Sequence, residues 1–167
     1  NVDIATLTTY RTGGIAKIVV HPLNEKKLLL LLKTLKKEKI NFKVLGNGSN
    51  TLFSDDFYDG VIIKLDSLSE IKFTRNKVFV EAGASLIRVA NMAVKKSLSG
   101  LEFATGIPGT IGGAIYMNAG AYKRDMGYIV ESIKVITPKF EIITMTNREL
   151  NFHYRTSFLQ QNKGYIC

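Results

Sequence analysis

The chain has a single cysteine, Cys167, the last of its 167 residues. One thiol can build neither an internal disulfide nor a cysteine-based metal site, and a reducing compartment is the natural setting for such a chain. Tryptophan is missing, and there are only two histidines, His21 and His153. Neither has a partner at metal-ligand spacing, so surface or packing roles are expected and no metal is expected. Long apolar runs are lacking too. The longest, Leu28–Leu32, falls far below what a membrane-spanning helix needs. No signal peptide is visible, although the start at Asn1 without methionine points to residues upstream.

What remains is ordinary globular material, 46% apolar and 22% charged, long enough for one domain or two small ones. The formal net charge is +9. Nucleic acid, phosphorylated small molecules and a plain lysine-rich surface are the candidate explanations. Many of the lysines fall on one predicted helix, with no aromatic residues between them to stack on bases, so nucleic acid is not expected.

Apolar periodicity divides the chain. Residues 13–22 read as a strand ended by Pro22, and Asn24 caps a lysine-faced helix over 25–39. Short strands follow at 42–46 and 60–65. Residues 70–74 and 77–83 flank Arg75-Asn76 as a hairpin. Ser85 opens a second helix, whose apolar stripe is Leu86, Val89, Ala90, Ala93 and Val94. Residues 128–137 and 140–146 read as another hairpin, around Pro138-Lys139. Thr146 and Glu149 read as the capping box of one helical turn, and residues 164–167 as the start of a strand. A boundary is expected near Leu65–Glu70, giving an N-terminal α/β unit over 1–66 and an α+β unit over 67–167.

Two glycine-rich stretches carry the chemistry. "LGNGSNTLF" (45–53) follows a strand. It is not the dinucleotide fingerprint, because Thr51 stands where the third glycine belongs, and it is not a Walker loop. It is either a tight loop whose successive amides hold an anion or a plain Asn-Gly turn. "GIPGTIGGAIYMNAGAY" (106–122) has glycine at four of its first eight positions. Pro108 and the glycines oppose a helix across 106–113, and a short helix can begin at Gly112. Glycines here serve either close backbone packing or a ligand lying on bare main chain. Two such loops in one basic domain favour a shared diphosphate. By the residues alone the chain is an α/β protein that binds a phosphorylated, nucleotide-like ligand through main chain.

Four segments then resemble one known family. "TTYRTGG" (8–14), "GNGSNTLF" (46–53), "GLEFATGIPGTIGGAIYMNAGAY" (100–122) and "YRTSF" (154–158) are similar, in order and spacing, to the UDP-N-acetylenolpyruvoylglucosamine reductases, the MurB family. The resemblance implies an α+β FAD-binding fold of the vanillyl-alcohol oxidase/PCMH type with two subdomains. It implies noncovalent FAD, NADPH as hydride donor, and reduction of the enolpyruvyl ether of UDP-N-acetylglucosamine to UDP-N-acetylmuramate, a cytoplasmic step of bacterial peptidoglycan synthesis. No nucleic acid, membrane or obligate protein partner is expected.

By that resemblance Gly46, Asn47, Gly48, Ser49 and Asn50 hold the diphosphate from one side. Ile107, Pro108, Gly109, Thr110, Gly112 and Gly113 line the other, continued by Asn118 and Ala119. Tyr10 and Arg11 lie near the cofactor. Arg155 is the expected catalytic residue, facing the enolpyruvyl carboxylate, with Tyr154 also on the substrate; a guanidinium stays protonated and presents a rigid fork of donors to a developing enolate. The family carries its proton-donating serine, and a glutamate, in a further domain. The expectation is therefore that these 167 residues bind FAD without steady-state turnover. Another FAD enzyme of the same fold, or a non-catalytic nucleotide-binding module, is the alternative.

Overall fold

The structure is a computed structural model that describes residues 1–162 and 164–167. Its first half is built around β4 (Tyr58–Lys64), flanked in parallel by β2 (Ile15–Val20) and β3 (Phe42–Leu45); β1 (Val2–Asp3) adds antiparallel to β2, for a sheet order β1-β2-β4-β3. A central parallel strand is covered on both faces and needs an unbroken apolar run. Val61, Ile62 and Ile63 supply it and are buried.

Helix α1 (Glu25–Lys37) crosses over between β2 and β3. Its start is the expected one: the Asn24 side chain accepts from the Lys27 amide at 3.0 Å. Leu28, Leu32 and Leu35 fall on one stripe and pack on Val61 and Ile63, while the lysines face water. Each buried leucine contributes roughly 1.5–3 kcal/mol. Leu32→Ala would cost about 2–5 kcal/mol and loosen the helix from the sheet. Ile62 points the other way, to Ile4, Ala16 and Leu45.

Everything after Leu65 is hairpins and short helices. The hairpins are β5 (Ile71–Thr74) with β6 (Lys77–Val80), β7 (Gly120–Ala121) with β8 (Arg124–Asp125), and β9 (Ser132–Ile136) with β10 (Ile142–Thr146). The helices are α2 (Leu86–Lys95), α3 (Ile111–Tyr116), α4 (Asn147–Leu150) and α5 (Phe158–Gln161). Ser85 caps α2, as expected. Leu86, Val89, Ala90 and Ala93 are buried, but Val94 is 55% exposed. At 3.6 residues per turn Val94 sits roughly 80° round from Leu86, off the edge of the stripe.

The strand expected from residue 128 begins only at Ser132. Side chains take the backbone instead: the Gly127 amide donates to Asn118 Oδ1 at 2.9 Å, and Asn147 Nδ2 donates to the carbonyls of Gly127 and Val130. That competition bends residues 126–128 into a single 3₁₀ turn. The capping box at Thr146 and Glu149 is present on α4. Ile166 pairs with Ile136, so the strand start read at the C-terminus joins β9.

Candidate functional site

Helix α3 begins one residue before the position the sequence suggested. Thr110 is its N-cap, its Oγ1 accepting from the Gly113 amide at 3.3 Å, so Gly112 and Gly113 lie inside the first turn. The loop ahead of it, Gly106–Gly109, lies against the loop after β3. A methyl group on Gly46 would sit 2.5 Å from Thr110 Oγ1, and one on Gly109 would sit 3.7 Å from Ser49 Oγ. The two glycine-rich stretches, some sixty positions apart in sequence, are neighbours in space.

The N-terminal segment closes on the first of them. The Thr9 amide and hydroxyl both donate to the Asn47 carbonyl, at 3.1 and 3.0 Å. Gly48 has φ +62, and a methyl there would meet Thr8 Cα at 2.8 Å, so this position demands glycine on two counts. Tyr10 is 56% exposed, and Arg11 follows at the end of a turn in which its amide donates to the Thr8 carbonyl.

Why the second loop needs its glycines separates packing from ligand. Gly112 is packed, since a methyl there would touch Ala82 Cβ at 3.0 Å. Gly106 and Gly109 are different. Both have a φ outside the left-handed region, and a methyl at Gly106 would meet nothing within 4 Å. No strain, and no crowding from the described residues, requires glycine at either. The backbone amides of Asn47, Gly48, Ser49, Asn50, Gly109 and Thr110 also donate to no group among the described residues. Bare main chain with uncommitted donors on two adjoining loops is the surface that a diphosphate fits.

One residue of this region escaped the sequence reading. Lys64 ends β4, and its Nζ donates to the Gly46 carbonyl. Burial pushes its ammonium below the usual lysine range, opposed by the nearby Asp66 carboxylate. A lysine closing the apolar run Val61–Ile63 is the signal that could have found it.

Arg155 and Tyr154 form the two-residue tip of a tight turn. The backbones of His153 and Thr156 exchange hydrogen bonds of 3.1 Å across it. Tyr154 is 90% exposed and Arg155 is exposed, with φ +55. The turn is tied to the C-terminal end of α3: Asn118 Nδ2 donates to the His153 carbonyl at 2.8 Å, and Ser157 Oγ donates to the Tyr116 carbonyl at 2.7 Å. Asn118, expected on the cofactor wall, is therefore engaged inward with both side-chain heteroatoms, and Ala119 is buried in the core. Ile107 packs partly on the same core, and Pro108 and Gly113 are exposed. His21 pairs with Asp66 on the surface at 2.7 Å. Among the described residues no cluster of three metal-ligating side chains exists, and no helix is long and apolar enough to cross a membrane.

Comparison with known proteins gives this arrangement a family. Residues 16–146 match the family model described as FAD binding domain. UDP-N-acetylenolpyruvoylglucosamine reductase of Caldanaerobacter subterraneus is 44% identical over 159 residues, covering 95% of this chain and 53% of the relative. The enzyme of that name from Lactobacillus helveticus is 42% identical, covering 99% of this chain and 55% of the relative. The chain thus spans about half the length of the curated relatives it matches. Among solved structures, UDP-N-acetylenolpyruvylglucosamine reductase (MurB) from Thermus caldophilus superimposes with a TM-score of 0.81 at 30% identity, over 99% of this chain and 57% of that one. Phl p 4.0202, a glucose dehydrogenase, superimposes with a TM-score of 0.61 at 10% identity, over 83% of this chain and 31% of that one, a likeness of fold alone. The fold is the FAD-binding fold of the vanillyl-alcohol oxidase/PCMH type, and the chain belongs to the FAD binding domain family and, within it, to the MurB reductases.

Proposed function

We propose that this chain binds FAD noncovalently between residues 1–66 and 67–167, and that it serves the NADPH-dependent reduction of UDP-N-acetylglucosamine enolpyruvate to UDP-N-acetylmuramate, in the bacterial cytoplasm. The observation that carries the reading is the meeting of Gly46 and Ser49 with Thr110 and Gly109. Uncommitted amides of both loops receive the pyrophosphate. Gly106 and Gly109 leave room for the cofactor to lie on the main chain, and Lys64 steadies the Gly46 carbonyl behind the first loop. Tyr10 and Arg11 border the same loop through the Thr9–Asn47 bonds.

Bound FAD supplies the hydride-transfer chemistry. Arg155 holds the enolpyruvyl carboxylate and stabilises the negative charge that grows there, in a role that needs a permanent cation rather than a proton donor. Tyr154 flanks it on the substrate side. Ser157 is not the acid that protonates the intermediate: it is fully buried, and its hydroxyl proton is given to the Tyr116 carbonyl.

Reconstitution with FAD followed by visible spectroscopy tests this. Oxidised-flavin bands that NADPH bleaches and simple alcohols do not are the expected result. Bleaching by alcohols instead would assign the chain to the oxidases of this fold. Folded protein that takes up no FAD would overturn the reading.

A further inference from the structure

Asn118 has a left-handed backbone (φ +42), is 2% exposed, and bridges two segments with one amide group. Its Nδ2 donates to the His153 carbonyl, while its Oδ1 accepts from the Gly127 amide. Ser157, fully buried, grips the other side of the same turn through the Tyr116 carbonyl. Both grips converge on the C-terminal end of α3, whose six residues carry the chain about 9 Å along the helix from Thr110 and the glycine loop to Tyr116. We propose that Asn118 and Ser157 are positioning residues that clamp the Tyr154–Arg155 turn to α3, making that helix a rigid spacer between the loop and Arg155. This rests on the proposed function for what Arg155 meets, but the clamp itself is readable without flavin.

The two bonds of Asn118 can be separated by one substitution. In Asn118→Asp a protonated carboxyl has the amide's shape and can donate to the His153 carbonyl; the carboxylate cannot, and it presents charge to that oxygen. The bond to the Gly127 amide survives in both forms, because each accepts. Burial raises the proton affinity of such a group. Among the described residues the titratable or charged ones lining the hollow beside Asn118 are Asp125, Tyr128 and Arg148, while His153 meets Asn118 through its backbone carbonyl; the wild type carries all of them. Subtracting the wild-type profile removes their contribution.

Amide hydrogen exchange of the full chain, wild type and Asn118→Asp, should be followed from about pH 5 to pH 8, corrected for intrinsic rates. The Thr156 amide, which closes the turn, should lose about tenfold protection in the variant as pH rises and stay flat in the wild type; the Gly127 amide should stay flat in both. In the FAD-loaded protein, titration with UDP-N-acetylglucosamine enolpyruvate, read by flavin difference absorbance, should weaken over the same pH interval by about tenfold in the variant. Adding Arg155→Ala to that variant should abolish the pH dependence. Ser157→Ala should loosen Thr156 at every pH, a second route if Asn118→Asp folds poorly.

Thr156 protection in Asn118→Asp that ignores pH overturns the inference. So does sugar affinity that ignores a measured loosening, or wild-type flavoprotein that gives no difference spectrum with the sugar. A wild-type chain that takes up no FAD overturns the proposed function instead, and the exchange data then decide the clamp alone.

Discussion

Gly46 and Thr110 meet so closely that a side chain on Gly46 would have no room to begin, its Cβ falling 2.5 Å from the Thr110 hydroxyl oxygen. Thr110 cannot retreat freely, because the same oxygen caps α3 through the Gly113 amide. The contact therefore fixes the spacing of the two loops proposed to hold FAD.

Gly46→Ala should force them apart. Overpacking of this kind costs about 1–3 kcal/mol, measurable by denaturant unfolding of the apoprotein. FAD affinity should fall by at least tenfold in a fluorescence-quenching titration. Unchanged FAD affinity would show that the spacing does not matter to the ligand.

Gly106→Ala and Gly109→Ala separate ligand from packing. Neither backbone is in the left-handed region, and neither methyl would crowd the protein, with open space around Gly106 and 3.7 Å to Ser49 Oγ at Gly109. The apoprotein should be as stable as wild type, or up to about 1 kcal/mol more stable through the reduced entropy of the unfolded chain. FAD binding should nevertheless weaken markedly. Full FAD affinity in both variants would remove the reason given for these glycines.

Arg155→Gly should trade function for stability. Arg155 sits at φ +55, a region costing a side-chain-bearing residue about 1 kcal/mol relative to glycine. The apoprotein Tm should rise slightly, by a few degrees at most, while affinity for the proposed enolpyruvyl sugar weakens and FAD binding is kept. A lowered Tm would mean that the guanidinium itself holds the turn.

The cap of α4 should fail in acid. Hydrogen bonds from the Thr146 backbone and hydroxyl hold the Glu149 carboxyl below its usual pKa. A carboxylate with a folded pKa lowered in this way adds stability above its unfolded pKa, which is near 4.3. That contribution is lost as pH falls through the lower folded value. Exchange protection of the Thr146 amide should therefore drop below about pH 4 in wild type and show no such step in Glu149→Gln. An identical step in both would place its origin elsewhere.

Much of the architecture was legible along the chain, where a local signal was strong enough to stand alone. The Asn24, Ser85 and Thr146 caps, the lysine face of α1 and the apolar run of β4 each settle an element by themselves. The β7–β8 hairpin was missed because Tyr122 and Lys123 take φ +51 and +62 in its turn without the glycine or asparagine that advertises such a turn. The one-turn helix α5 was missed because four residues carry too little periodicity to read.

The site divides along the same line. Residue types and their order determined the family resemblance, the glycine-rich loops and Arg155, since these are properties of short segments. Only the tertiary structure decided that Gly46 touches Thr110, that Lys64 stands behind the first loop, and that Asn118 turns inward to hold the His153 carbonyl. Those facts depend on which distant backbones arrive side by side, and a linear pattern carries no record of an approach that packing alone creates.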